Sequence, residues 1–401
     1  MKKALRHGFT TGACATAAAR GAALMIARQE LVSEVIIELP TGAAVTFQLH
    51  GQTFSKTSAA CFVIKDAGDD PYVTNGAELH AAVALTPAQK QRILITGGTG
   101  IGKVTKPGLA VAPGEWAINP VPRSMIAQAV REAFSLQPNP PQSPLIRGEA
   151  EGPSLIRGGG GGVSVVISIP DGEVRAQKTL NARLGIIGGL SILGTTGIVR
   201  PISAKAWTDT IDAALDVARA CGCPTVVLST GRTSEMAAQR YLDSNPPPAL
   251  PYQGGGLSLP PDKGGLRGVA FPEEAFIMMG DHVAYALAAC QQRGFERPML
   301  ACQFAKLLKI ACGHENTHAA ASELDLATLR EWAKQQGLPV QIMDLVANAN
   351  TAREIIIASG FDPVLLELVC RHAHQAVHDH APDIVPSFLV ADYSGNIVFS
   401  S

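Results

Sequence analysis

Hydrophobic and polar positions along this chain follow two rhythms. In the first half, β-type runs at residues 35–39, 45–49, 61–64 and 92–96 mix with two helices, an alanine-rich one over 13–28 and another following Pro122. A strand over 163–169 belongs with this set. The mixture predicts an α+β domain. From about Ala204 the elements alternate: helix 207–220, strand 225–229, a helix opening near Ser234, strand 275–279, helix 283–293 and strand 299–302. Alternation predicts a mostly parallel sheet flanked by helices, a Rossmann-like α/β domain with ligands at the carboxyl ends of its strands. Residues 388–392 and 396–400 flank Tyr393-Ser394-Gly395 and read as a closing hairpin.

Two segments break both rhythms. Residues 137–162 are dominated by proline and glycine and repeat themselves, Pro144-Leu145-Ile146-Arg147-Gly148 returning as Pro153-Ser154-Leu155-Ile156-Arg157-Gly158. Residues 245–268 have the same character. Such stretches bury too little apolar surface to offset their ordering entropy, so both are expected to be flexible insertions. At 401 residues the chain is long enough for two domains, a mixed α+β one over 1–203 and the Rossmann-like one over 204–401.

Composition narrows the classes further. A hydrophobic share of 46% with 17% charged residues is that of a folded chain. The formal net charge of -1 gives no bulk attraction to nucleic acid or an anionic membrane, so an anionic ligand needs a local basic patch. The start of the chain lacks the apolar core of a signal peptide, and no stretch is long and apolar enough to span a bilayer. The eight cysteines form no CxxC pair, so they read as reduced thiols of a cytoplasmic protein. Cys14 lies where a helix dipole lowers a thiol pKa, but core packing is its expected role.

Gly97-Gly98-Thr99-Gly100-Ile101-Gly102-Lys103 satisfies a P-loop spacing after a strand. It fails at the next position, where Val104 replaces the magnesium-binding hydroxyl, and Pro107-Gly108 stops the helix that should face the phosphates. The glycines also miss the dinucleotide spacing. What remains is either a turn needing positive backbone angles or a side-chain-free loop that a bulky ligand approaches closely.

The same loop, running on through Val104-Thr105-Lys106-Pro107-Gly108-Leu109 and Asn119-Pro120-Val121-Pro122-Arg123, resembles the signature of the CbiD family of cobalt-precorrin-5B C-1-methyltransferases. Further blocks match in order: Gly8-Phe9-Thr10-Thr11-Gly12, Lys65-Asp66-Ala67-Gly68-Asp69-Asp70-Pro71, 181–189, 191–199, Ser229-Thr230-Gly231-Arg232, Gly280-Asp281 and 314–318. The resemblance covers nearly the whole chain outside the two insertions, with small departures at Ala182 and Leu190.

It implies S-adenosylmethionine as cofactor and cobalt-precorrin-5B as small-molecule partner, with transient contacts to neighbouring corrin-pathway enzymes and neither nucleic acid nor membrane. The contrasting reading is a non-enzymatic corrinoid carrier. The methyl donor is already reactive, so catalysis needs mainly in-line positioning and exclusion of water. The carboxylate-rich macrocycle calls for cations, and Lys103, Lys106, Arg123 and Arg183 stand in the matched loops with Gly98, Gly100, Gly102, Thr195 and Thr196. Thr10, Thr11 and Gly12 open a helix, where they either cap it or leave N–H groups for a carboxylate. Asp66 and Asp69, on a turn before Pro71, are either turn formers or, with His314, the expected catalytic groups, and His318 is expected against the macrocycle. Thr230, Gly231, Arg232, Gly280 and Asp281 follow strands and form the expected donor site, Asp281 meeting the ribose. The histidines at 372, 374, 378 and 380 read as a polar helix end, and no protein-held metal is expected.

Overall fold

The computed structural model describes residues 5–87, 93–135, 162–201, 203–245 and 271–401, so both insertions, apart from Gly162 and Asn245, lie outside the described residues. The chain divides into two units, Met1–Ser203 and Ala204–Ser401. The first holds β1 (Gly8–Phe9), α1 (Thr11–Arg28), β2 (Glu34–Glu38), β3 (Ala44–Gln48), β4 (His50–Phe54), β5 (Ser58–Ile64), β6 (Glu78–Thr86), β7 (Ile93–Gly97), β8 (Lys103–Val104), α2 (Pro120–Ser135), β9 (Gly162–Ser168), α3 (Gly172–Ala176), β10 (Ile186–Ile187) and β11 (Ile198–Val199).

Alanine gives α1 its helical bias and a slim profile. The Thr10 hydroxyl caps it by accepting from the Ala13 N–H at 3.2 Å, and Gln29 ends it in the left-handed conformation. Nearly every residue from Thr11 to Ile26 is buried, as expected of a helix apolar on all sides. It packs against α2 and against one face of the sheet β4-β5-β6-β9-β7, which is antiparallel except where β7 runs parallel to β9. Period-2 alternation sends Cys61, Val63, Leu79, Ala81, Val83, Val165 and Ile167 into that core. On the opposite face Phe62 stacks on His80 at 4.6 Å, and Leu94 and Ile64 are exposed. Strand β6 was not anticipated from the sequence.

The second unit contains α4 (Ala204–Ala220), β12 (Val227–Ser229), α5 (Arg232–Ser244), β13 (Phe276–Met278), α6 (Val283–Gln292), β14 (Met299–Gln303), α7 (Phe304–Ala311), α8 (Leu326–Gln336), α9 (Val340–Asn348), α10 (Ala352–Ala358), α11 (Pro363–His380), β15 (Ser387–Ala391) and β16 (Ile397–Ser400). Its sheet runs β13-β12-β14-β15-β16, parallel through β15 and closed by the antiparallel β16. Alternate strand residues serve two cores. Val227, Phe276, Ala301 and Leu389 pack with Ala238 and Leu242 of α5, while Leu228, Ile277, Leu300 and Phe388 face the other helices. The chain steps from β12 to β13 on one side and returns past β12 to β14, so the order reverses at β12.

Candidate functional site

In the first unit the matched loops fold onto one another around the start of α1. No helix follows the glycine loop: Lys103 and Val104 form β8, paired with Ile187 and Ile186 of β10. Ile101 bridges Leu190, and Ile118 bridges Ile192. Gly100 has φ +71°, and a Cβ there would collide with the Ile169 carbonyl and lie 2.9 Å from Gly172 N. Side chains at Gly172 or Gly189 would collide with the Gly100 carbonyl in turn. A Cβ at Gly98 would meet Ser168 Oγ, and one at Gly102 would stand 2.5 Å from Ile186 Cγ2. At Gly98, Gly100 and Gly102 the chain's own backbone and side chains thus come close enough to require glycine.

The start of α1 is likewise closed by its neighbours. Gly12 N–H donates to Leu193 O at 3.0 Å, and Thr11 Oγ1 accepts from Leu193 N at 3.0 Å and donates to Ser191 O at 3.2 Å. The Ala13 N–H is held by the Thr10 hydroxyl, so the first turn of α1 is capped. Thr195 and Thr196 are exposed on the same loop, and Thr196 Oγ1 accepts from Ile198 N.

The acidic turn is equally engaged. Arg6 grips both oxygens of Asp66, whose Oδ1 also accepts from Gly68 N at 2.8 Å. The Arg6 hydrogen bonds hold the Asp66 carboxyl below the usual range, with the Gly68 N–H adding to the effect. Asp69 Oδ2 accepts from Arg6 N at 2.7 Å. Both expected catalytic carboxylates thus tie Arg6 to the turn. Among the cations, Lys103 Nζ lies 4.6 Å from the Trp116 ring centroid, Lys106 Nζ donates to Arg183 O at 3.1 Å, and an Arg123 guanidinium N–H donates to Ile95 O at 3.1 Å. Arg183 is half-buried.

In the second unit the expected donor residues lie at strand ends. Met279 and Gly280 N–H groups both donate to Ser229 O, bringing the end of β13 against that of β12. Gly231 opens α5 with no side-chain cap, and the space where its Cβ would stand is free. Arg232 is exposed beside it. Gly280, at φ +60°, lies under Trp207, whose indole N–H donates to Met279 O at 2.9 Å.

Asp281 is held through one oxygen. Its Oδ1 accepts from Lys306 Nζ and, at 2.7 Å, from the hydroxyl of the fully buried Thr317; Lys306 also reaches Thr317 O at 2.8 Å. Burial alone would raise this carboxyl, but hydrogen bonds from Lys306 and Thr317, with the charges of Lys306 and His318, outweigh it and hold the pKa low. The ammonium of Lys309, on the next turn of α7, donates to Thr317 O and Ser322 O. Thr317, Lys306 and Lys309 were missed in the sequence. Thr317 stands inside a matched block, and Lys306 follows the strand beside β12, so position relative to the sheet was the available signal.

His314 and His318 lie in this second unit, in the connection between α7 and α8. His318 is exposed and its Nδ1 accepts from Ala320 N at 3.1 Å; the His314 N–H donates to Lys309 O. The later histidines are engaged in packing: His372 stacks on Trp332 at 3.8 Å, His374 meets Phe388 edge-on, and His380 bonds the Gly313 carbonyl.

A parallel sheet whose strand order reverses at β12 in one unit, and interlocked glycine loops in the other, define a two-unit protein of mixed α/β class. The chain belongs to the CbiD family: the family model CbiD matches residues 1–201, and the model of its C-terminal domain matches 316–401. A relative from Pelobacter propionicus, named cobalt-precorrin-5B C(1)-methyltransferase, is 59% identical over 99% of this chain and 96% of its own. One of the same name from Geobacter sulfurreducens is 53% identical over 98% of both chains. A crystal structure of the cobalamin biosynthesis protein cbiD from Archaeoglobus fulgidus is 26% identical over 83% of this chain and 85% of that one, with a TM-score of 0.36. No helix among the described residues is long and apolar enough to cross a membrane.

Proposed function

We propose that the protein transfers a methyl group from S-adenosylmethionine to C-1 of cobalt-precorrin-5B, giving cobalt-precorrin-6A. The observation that carries this reading is the 59% identity, over nearly the full length of both chains, to a relative named for that methylation.

We read the second unit as a Rossmann-like donor domain. The reversal of strand order at β12 supports this, because such sheets bind ligands at that point. The side-chain-free start of α5 at Gly231, with Arg232 beside it, suits the donor's carboxylate. The Oδ2 oxygen of Asp281, which receives no hydrogen bond from the described residues, suits a ribose hydroxyl while Oδ1 stays clamped. The residues present therefore fit the donor. Bound there, S-adenosylmethionine would supply an activated methyl group, and this chain would supply orientation and exclusion of water. In the first unit, Lys103, Lys106, Arg123 and Arg183 are the cations for the macrocycle's carboxylates, and Asp66, both of whose oxygens the Arg6 guanidinium holds, is not assigned as a general base.

Incubation with methyl-13C-labelled S-adenosylmethionine and cobalt-precorrin-5B should place the label at C-1, read by NMR. Calorimetry should show binding of S-adenosylhomocysteine. Binding of the corrin without any affinity for either donor form would instead identify a carrier.

A further inference from the structure

The matched block beginning at Lys65 contains a cation that the fold leaves unused. Lys65 follows β5 directly, fixed by hydrogen bonds from its own N–H to Ala77 O and from Gly76 N to its carbonyl, both 2.8 Å. It is only 2% exposed. Its ammonium nevertheless has no hydrogen-bond or ion-pair partner among the described residues. None of their fully enclosed side-chain nitrogens or oxygens lacks a partner, so the Lys65 ammonium, though on a buried residue, is not itself fully enclosed.

Its surroundings show what that space lacks. The charged or ionisable groups in electrostatic reach are Cys14, Asp70, Asp66 and Arg175, none in contact with it. Asp66 is gripped by Arg6, and Arg175 is tied to Asp171 and to the Asn75 carbonyl. Cys14 is wholly enclosed, and burial pushes its thiol up to about 12, so it stays neutral. Burial likewise lowers the Lys65 pKa, against the opposing pull of Cys14, Asp70 and Asp66. A buried ammonium without a partner is costly, and a fold that needed only packing here would be better served by an apolar side chain.

We propose that Lys65 is the buried anchor for one carboxylate of the corrin ligand, its ammonium donating to an acetate or propionate oxygen that enters beside the first turn of α1. This rests on the reading of the protein as one that binds a carboxylate-bearing corrin. It adds a cation different in kind from Lys103, Lys106 and Arg123, which already meet a ring or a carbonyl. A charge pair formed away from water is stronger and less screened by salt than one at the surface.

The test uses the full chain and two stable probes, cobyrinic acid with its free carboxylates and its heptamethyl ester. For Lys65→Met, calorimetry should show cobyrinic acid binding weakened about 10- to 100-fold, the gap persisting in high salt. Affinity for the ester and for S-adenosylhomocysteine should not change. The melting temperature should stay or rise, because an unpaired buried charge has been replaced by an apolar chain of similar length. Unchanged affinity for the acid overturns the proposal. So does a variant that unfolds or melts well below the wild type, since the ammonium would then belong to the fold. Wild-type protein that binds neither corrin would sink the functional reading itself, an outcome distinct from either of these.

Discussion

At Gly100 a single missing atom decides whether two loops can cross. The residue combines a positive φ with a position where any Cβ would collide with the Ile169 carbonyl. Gly100→Ala should therefore destabilise the first unit by at least about 2 kcal/mol, the left-handed strain adding to a backbone displacement. A denaturant midpoint indistinguishable from wild type would show that the two loops do not cross this closely. Asp281 presents the opposite case, a side chain whose position was legible and whose surroundings were not. A carboxylate after a predicted strand marks a ligand site, but Lys306 and Thr317 come from elements 25 and 36 residues further on. Asp281→Asn keeps the shape and removes the charge that Lys306 matches. We expect affinity for S-adenosylhomocysteine to fall about tenfold, roughly 1.4 kcal/mol, with corrin binding unaltered. Equal affinity by calorimetry would remove Asp281 from the donor site.

Among the elements, those with one dominant signal were readable. Helix α1 declares itself through alanine and a threonine cap, and Thr10→Ala should cost about 1 kcal/mol, measurable as a shift in the first unit's unfolding midpoint at constant slope. An unaltered midpoint would mean that the link between Gly12 and Leu193 already orders that turn unaided. Strand β6 was not readable because Leu79, Ala81, Ala82, Ala84 and Leu85 carry little β preference and only Val83 and Thr86 carry a strong one. Its conformation is imposed from both sides, by β5 through Ile64↔Glu78 to Ser58↔Ala84 and by β9 through Ser168↔His80 to Gly162↔Thr86. The glycine loops were only partly readable for a related reason. Glycine signals that something comes close, and whether that is a ligand or another stretch of backbone depends on partners such as Gly172 and Gly189, which lie far along the chain.

At the level of the whole molecule, buried thiols link both units to alkaline pH. Burial pushes Cys14 and Cys61 of the first unit, and Cys290 and Cys370 of the second, up to about 12. A thiol in an unfolded chain ionises from about pH 9, whereas these remain protonated in the fold. The folded pKa is thus the raised one, so the contribution to stability is complete below about pH 9 and is lost as pH rises from there towards 12. Each thiol removes at most about 1.4 kcal/mol per pH unit within that window. Under reducing conditions the melting temperature should be level with respect to these groups between pH 7 and 9 and fall above it, and if two transitions are resolved, both should fall. Replacing Cys290 and Cys370 by alanine lowers stability at neutral pH through lost packing, but it should make the alkaline slope of the second unit shallower, with Cys302 and Cys312 retained there, while leaving that of the first unchanged. Identical slopes in the variant and the wild type would assign the alkaline loss to other groups, the buried Cys302 and half-buried Cys312 among them.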